Sequence, residues 1–162
     1  MYENILNSIA VFKNEIEAKK ANDINYFIEI EREFIDNLEL KVTIPIQLLN
    51  LYIEKGCGFL NSKINKEQFF LNRIMHPLDV IAVINHNYVG LTSEFEYEEN
   101  TLPFLEVDVD FFLCLKPYSE NPNAVHHMWG ELMPNNGKIC DSLVEFIERL
   151  VEDPNWFSQP TE

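Results

Sequence analysis

The stretch TIPIQLLNLYIEKGCGF, residues 43–59, decides most of what the sequence says about the fold. Its apolar residues cover most of the circumference of a helix, and Pro45 stands in the first turn, where its missing N–H costs nothing. Gly56 suits the left-handed position just past a helix end, and Gly58 suits a close backbone approach. A phosphate-binding loop is disfavoured, because a helix precedes the glycines and no Lys or Ser/Thr follows them. The stretch therefore predicts a buried central helix after which the chain reverses.

The whole chain has the composition of one globular domain. Its 162 residues are 46% hydrophobic and 12% aromatic, which is enough for a full core. No repeat of fixed period and no low-complexity tract interrupts it. We therefore expect a single domain over residues 1–162.

The charge is strongly one-sided, with 27 Asp and Glu against 12 Lys and Arg and a net charge of -15. This balance disfavours direct nucleic-acid binding, which depends on Lys and Arg contacts with phosphates. It favours a basic protein partner, which the field of the acidic surface would attract. The alternative is that the charge only keeps the protein soluble.

The cysteines and the N-terminus indicate where the protein is found. Cys57, Cys114 and Cys140 are odd in number and lack CxxC spacing, so they predict reduced core residues with neither a disulfide framework nor a zinc site. The first residues lack the basic and apolar regions of a signal peptide, and no stretch approaches the roughly 20 apolar residues that span a bilayer. We expect a cytoplasmic protein without a cofactor.

Apolar residues at spacings of three and four predict helices at both ends of the chain. Residues 2–20 form the first predicted helix, and a second is expected to be capped by Asp23 and to run through Leu38. Ser142 and Glu145 have capping-box spacing, which predicts the start of a closing helix.

Strands are predicted between these helices. LEVDVDFFLCL, residues 105–115, alternates in hydrophobicity over its first half and is predicted to be one strand with Glu106, Asp108 and Asp110 on the same face. An acidic segment, residues 92–100, precedes it as a loop or an edge strand.

The remaining segments complete the predicted fold class. Residues 124–129 read as a strand, and the pair at 136–137, Asn-Gly, is typical of a hairpin turn. Residues 72–85 fit either a strand or a helix, with Pro77 favouring a helix. The sequence therefore predicts an α+β domain in which helices at both termini pack with a mainly antiparallel sheet.

The order of these pieces, from about residue 24 to residue 151, resembles the SUKH superfamily. This superfamily includes bacterial immunity proteins that neutralise toxins and a fungal cell-wall-synthesis regulator. Val109, Lys116 and Leu143 depart from residues that are frequent in the family. The matching segments are IPIQLLNLYIEKGCGF, EVDVDFFLCL, AVHHMWGE and KICDSLVEFIERL.

The resemblance implies a protein without catalytic activity that binds another protein, commonly a bacterial toxin. Many such toxins are nucleases with cationic surfaces, which the acidic charge would complement. We predict that the partner-binding face lies in the densest acidic stretch, where two aromatic residues alternate with glutamates and serve either as anchors or as core residues. The predicted residues are Glu94, Phe95, Glu96, Tyr97, Glu98, Glu99, Glu106, Asp108 and Asp110.

Two alternatives remain open at this level. One is a regulatory or scaffolding protein of the same fold, which differs only in what it binds. The other is a metal-dependent hydrolase with Asp108, Asp110, His127 and Glu131 as ligands. The pair at 126–127, His-His, argues against the hydrolase, because adjacent side chains on a strand point to opposite faces.

Overall fold

The computed structural model describes residues 1–21, 25–60 and 70–158. In these ranges the α-helices are α1 Glu15–Ala21, α2 Arg32–Glu39, α3 Ile46–Glu54, α4 Pro77–Ile84 and α5 Leu143–Glu152. The strands are β1 Ala10–Phe12, β2 Tyr26–Ile28, β3 Cys57–Phe59, β4 Arg73–Ile74, β5 Leu102–Asp108, β6 Phe111–Leu115, β7 Val125–His127 and β8 Lys138–Cys140. Short 3-10 helices cover Gly130–Leu132, Pro134–Gly137 and Trp156–Ser158.

The strands form one sheet in which sequence order is also spatial order. β1 and β2 run parallel, and every later pair of neighbours among the described strands is antiparallel. Helix α1 lies toward the N-terminus and helix α5 toward the C-terminus. The predicted fold class, a single α+β domain with a mainly antiparallel sheet, is confirmed.

The helix predicted from residues 43–59 is α3, and its start and end are as expected. Pro45 immediately precedes it, and Gly56 follows it with a φ of +96°. A Cβ atom on Gly58 would lie 1.9 Å from the carbonyl oxygen of Tyr26, so only glycine lets β3 approach β2 this closely. The two glycines therefore turn the chain from a helix into the sheet.

Helix α3 is not surrounded by protein, however. Leu48, Leu51 and Tyr52 are buried, whereas Ile46 and Ile53 are exposed. The prediction of a nearly enclosed central helix is wrong in this respect. The helix packs on one side only, because no other described element covers its outer face.

The N-terminal region differs most from its prediction. Residues 2–20 are not one helix, since β1 occupies part of this range and α1 begins only at Glu15. In the next segment Phe27 lies in β2, opposite Val11, rather than in a helix. Asp23, the predicted cap, falls outside the described residues. Pairing between strands satisfies the backbone groups of both segments and overrides a helical spacing of apolar residues.

Residues 105–115 form a hairpin and not one strand, so that prediction is also wrong. β5 ends at Asp108 and β6 begins at Phe111, with Val109 and Asp110 in the turn between them. Asp110 has a φ of +56°, a conformation that Asp tolerates better than most residues. The reversal lets each strand satisfy the other's backbone groups.

The later elements largely match the sequence. Residues 72–85 contain both alternatives, a short strand β4 followed by α4, which begins at Pro77. β7 and β8 are antiparallel, but two 3-10 helices, rather than a two-residue turn, connect them. Ser142 caps α5 by accepting a hydrogen bond from the Glu145 N–H at 3.4 Å, as predicted.

The core lies between the sheet and the helices. Phe104 of β5 meets Phe146 of α5 edge to face, with ring centroids 5.9 Å apart. All three cysteines are buried and free, which confirms the prediction that they are core residues. Burial raises the pKa of the Cys114 thiol to about 12, so this group is an inert packing residue. In the described ranges no helix has the length and apolar character needed to cross a membrane.

Candidate protein-binding site

The acidic loop, residues 92–100, lies between α4 and the start of β5 and has no regular secondary structure. It carries Glu94, Glu96, Glu98 and Glu99. No Lys or Arg occurs anywhere between Arg73 and Lys116 in the sequence. The loop itself therefore carries four acidic residues and no basic one.

The two aromatic residues of the acidic loop point toward the sheet. The Phe95 ring packs edge to face on Phe112 with centroids 5.5 Å apart. The Tyr97 hydroxyl donates to the carbonyl oxygen of Thr101 at 2.5 Å, and burial raises the pKa of this tyrosine. Both rings are half-buried. Phe95 and Tyr97 were predicted to be either anchors for a partner or core residues. This geometry favours core residues that hold the loop on the sheet.

Glu98 fastens the acidic loop to the segment that follows β7. Its Oε2 accepts a hydrogen bond from the Trp129 backbone N–H at 2.7 Å, and Lys116 Nζ lies 3.9 Å from its Oε1. Only 12% of the Glu98 side chain is exposed. The indole Nε1 of Trp129 donates to the carbonyl oxygen of Glu96 at 2.8 Å. Trp129 is thus hydrogen-bonded to the acidic loop through both the backbone and the side chain of the tryptophan.

The sequence did not indicate Trp129 as a candidate binding residue, because residues 124–129 are predicted as one strand, whereas β7 ends at His127. It has a φ of +58°, which is rare for a bulky residue. Its side chain is 54% exposed. The sequence signal was weak, since it consisted only of a tryptophan followed by Gly130 beyond a predicted strand.

The two aspartates lie at the other end of the acidic loop, in and beside the β5–β6 turn. Asp110 accepts hydrogen bonds from both the backbone N–H and the hydroxyl of Thr92, which ties the turn to the start of the loop. Asp108 is exposed, and its Oδ1 accepts from the Val109 N–H at 2.8 Å. The structure therefore joins Asp110 directly to the acidic loop and leaves Asp108 exposed, two residues before Asp110 in the chain.

Glu106 lies apart from this surface. It is only 8% exposed. Its Oε1 lies 3.0 Å from Arg73 Nε, and its Oε2 accepts from the Tyr88 hydroxyl at 2.5 Å. Burial and this hydrogen bond raise the pKa of Tyr88 to about 12. The prediction that Glu106 shares an exposed face with the aspartates is wrong, because β5 directs it into a buried ion pair.

The residues of the alternative metal site are not assembled. Asp110 is engaged in the turn described above, and the His127 ring stacks on Phe111 with centroids 5.8 Å apart. Glu131 lies exposed on a 3-10 helix. Among the residues that the structure describes, no group of three His, Cys, Asp or Glu side chains could hold a metal ion. The four residues of this alternative therefore do not converge on one site in the part of the chain that the structure describes.

Two depressions flank Trp129 along the acidic loop. One, of about 300 Å³, is lined by Glu94, Glu96, Asp110 and Trp129 together with apolar neighbours. The other, of about 590 Å³, is lined by Glu96, Glu98, Glu99, Trp129 and Glu131 with two ring side chains. Trp129 and Glu96 belong to both. An exposed aromatic ring thus stands between two acidic hollows.

These features describe a single α+β domain whose acidic loop is joined to an exposed tryptophan, a combination of charge and aromatic surface suited to binding a protein. The chain is similar to Immunity protein YxxD of Bacillus subtilis (strain 168), with 26% identity over 145 residues. The similarity covers 85% of this chain and 91% of that protein. No family model matches the sequence, and no solved structure matches it. Membership of the SUKH superfamily stays a prediction.

Proposed function

We propose that this protein is a non-catalytic immunity protein that binds and neutralises a basic bacterial toxin in the cytoplasm. The observation that carries the proposal is the similarity to an immunity protein over 91% of that protein's length. The net charge of -15 and the absence of Lys and Arg from residues 74–115 support a basic partner. Direct binding to nucleic acid is disfavoured by the same charge.

The proposed binding surface consists of the carboxylates that project from the acidic loop and the nearby turn. Glu94, Glu96, Glu99 and Asp108 are exposed. We assign the other predicted residues to supporting roles: Phe95 and Tyr97 pack the loop on the sheet, and Glu98 and Asp110 fasten its ends. Glu106 lies outside the proposed surface because it is buried against Arg73.

Neutralisation requires only that the acidic surface cover a functional groove of the toxin. A nuclease is the toxin class that fits best, because such an enzyme needs a cationic groove to hold phosphates. Carboxylates placed in that groove would compete directly with the nucleic acid. Complementary charge would also accelerate association, and this acceleration would weaken as salt is added.

The experiment begins with the tagged protein as bait in its own host, from which bound proteins are eluted with a salt gradient. The captured basic protein is then expressed in a test bacterium with and without this chain. We expect growth arrest by the captured protein alone and restored growth when both are present. If the chain restored growth with none of the captured proteins, that result would contradict the proposed function.

A charge-reversal variant tests the surface. The variant converts Glu94, Glu96, Glu99 and Asp108 to Lys, and we expect at least about a tenfold loss of affinity for the toxin. The matched control reverses four exposed acids on helices α2 and α5, namely Glu33, Glu39, Glu148 and Glu152, and so changes the net charge equally. Equal losses in the two variants would show that total charge, and not this surface, determines binding.

A further inference from the structure

The residues that follow β7 expose unusually large apolar side chains. In the segment Trp129 to Met133, which we call the tryptophan knuckle, Leu132 is fully exposed, Trp129 is 54% exposed and Met133 is 42% exposed. Large apolar side chains that cluster on a surface rimmed by polar groups mark interaction sites. Here the rim is the acidic loop, which is bonded directly to Trp129.

The tryptophan knuckle is held in a fixed shape. Gly130 and Gly137 are in direct contact, so that a Cβ atom on Gly137 would lie 2.6 Å from the Cα of Gly130. The Met133 N–H donates to the Gly130 carbonyl at 2.9 Å. Trp129, Asn135 and Asn136 all have positive φ, between 53° and 58°. Such conformations persist only where the surrounding structure imposes them, and they are concentrated at binding sites.

The carboxylates around the indole are available. Among the described residues, the side chains of Glu94, Glu96 and Glu131 make no hydrogen bond or ion pair, and all three are exposed. Each lines at least one of the two hollows beside Trp129. A cation that entered either hollow would therefore meet an aromatic surface and free carboxylates together.

We propose that the tryptophan knuckle is the docking site for an arginine side chain of a basic protein partner. A guanidinium group is planar, stacks on an indole and donates bidentate hydrogen bonds to carboxylates, whereas an ammonium group does neither as well. The same chain already contains this pairing elsewhere, since the Arg149 guanidinium lies 5.0 Å from the ring centroid of Trp156. Leu132 and Met133 supply apolar contact beside the arginine. This proposal rests on the proposed function in one respect, because it takes the toxin as the partner that supplies the arginine.

The test uses Trp129 itself as the reporter. The chain has two tryptophans, so Trp156→Phe leaves Trp129 as the single emitter without altering the knuckle. The probe is a short oligoarginine peptide, compared with oligolysine of the same length. We expect oligoarginine to shift Trp129 emission, to protect it from acrylamide quenching and to bind several-fold more tightly than oligolysine. Unchanged Trp129 emission on binding, or equal affinity for the two peptides, would overturn the proposal.

Substitutions provide an independent measurement. We expect Trp129→Ala to weaken oligoarginine binding by about tenfold and Trp129→Phe to weaken it less, since a smaller ring still stacks. Trp129→Ala also removes a hydrogen bond to the loop, so a loss of binding could reflect a change in the loop. Leu132→Ala is the companion variant, because the Leu132 side chain is fully exposed and its removal should leave the fold intact. Leu132→Ala should weaken toxin binding about threefold or more. The proposal would be overturned if both Trp129 variants kept full affinity for oligoarginine and Leu132→Ala kept full affinity for the toxin.

The outcomes separate this inference from the proposed function. If the chain protects cells from the toxin and Trp129→Ala, correctly folded, protects them with unchanged affinity, the docking site is wrong and the immunity role stands. If oligoarginine binds through Trp129 but no captured protein is neutralised, the docking site stands and the immunity role is wrong.

Discussion

Arg73 and Glu106 face each other across the neighbouring strands β4 and β5, with 3.0 Å between the guanidinium Nε and the carboxylate Oε1. Arg73 also donates to Asp79 at 2.8 Å and to the Tyr88 hydroxyl at 2.7 Å. Burial alone would lower the pKa of Arg73, but the hydrogen bond to Asp79 and the charge of Glu106 raise it. One side chain thus connects two strands with α4 and with the segment that leads into the acidic loop.

Replacing Arg73 should be strongly destabilising. Arg73→Met leaves the buried Glu106 carboxylate without its cation, and we expect the free energy of unfolding to fall by about 3 kcal/mol. Urea denaturation followed by circular dichroism measures this change. The matched control is Arg32→Met, which removes a pair with Asp36 in which both side chains are 57% exposed. The control should lose less than about 1 kcal/mol, and equal losses would contradict the structural role of Arg73.

Neighbouring glutamates of the acidic loop should behave differently. Glu98→Gln removes the charge that faces Lys116 and weakens the hydrogen bond from the Trp129 N–H, so we expect stability to fall by about 1 kcal/mol and Trp129 emission to change. Glu99→Gln should leave stability within about 0.5 kcal/mol, because Glu99 is exposed. Toxin affinity should fall in Glu99→Gln. Identical stability in the two variants would show that Glu98 does not fasten the loop.

The close approach of β2 and β3 should tolerate no side chain at residue 58. A Cβ atom there would lie 1.9 Å from the Tyr26 carbonyl oxygen and 2.8 Å from the Phe27 Cα, both of which are backbone atoms. We expect Gly58→Ala to separate the two strands and to lower the free energy of unfolding by about 3 kcal/mol. Thermal and urea unfolding measure the loss. A cost below about 1 kcal/mol would mean that the strands can separate without strain.

His126 should make the protein less stable in mild acid. Burial, followed by the charges of Lys116 and Lys138, lowers the pKa of His126 to about 4. The unfolded chain, with a His pKa of about 6.5, therefore binds more protons than the folded chain between these values, and stability falls as the pH falls through that window. His126→Asn should flatten this part of the stability curve, measured by urea denaturation at a series of pH values.

The comparison variant for this prediction is His127→Asn. Burial alone lowers the pKa of His127, without nearby cations, so its removal should flatten the curve less. If His126→Asn left the pH dependence between 6.5 and 4 unchanged, the lowered pKa of His126 would be incorrect.

Several predictions that depended on local signals were confirmed, although the Asn136-Gly137 pair does not close a two-residue turn. Pro45 and Gly56 mark the start and the end of α3, Gly58 allows β3 to approach β2, and the Ser142 cap defines the start of α5. Predictions that depended on periodicity alone were less successful. The alternation of apolar and acidic residues from Leu105 to Phe111 continues through Val109 and Asp110, where the chain turns. An exposed Val in a turn fits the same pattern as a buried Val in a strand, so periodicity did not reveal the turn.

The candidate site was predicted in part for the same reason. The sequence located the acidic loop, since the density of glutamates is a local property of the chain. It did not separate exposed Glu96 from buried Glu106, because that difference depends on Arg73, which lies 33 residues away from Glu106. Nor did it find Trp129, whose position beside the loop depends on the pairing of β6 with β7.

By itself, the sequence determined the fold class, the acidic character, the burial of the three cysteines and the caps of two helices, because composition and capping residues can be read without knowing which distant residues meet. Only the tertiary structure decided which carboxylates are free and which make hydrogen bonds or ion pairs. It alone placed an exposed tryptophan among them. These positions follow from which strands pair with each other. Pairings such as that of β4 with β5 bring together residues that are distant in the chain, and a charged side chain then either gains a partner or remains at the surface.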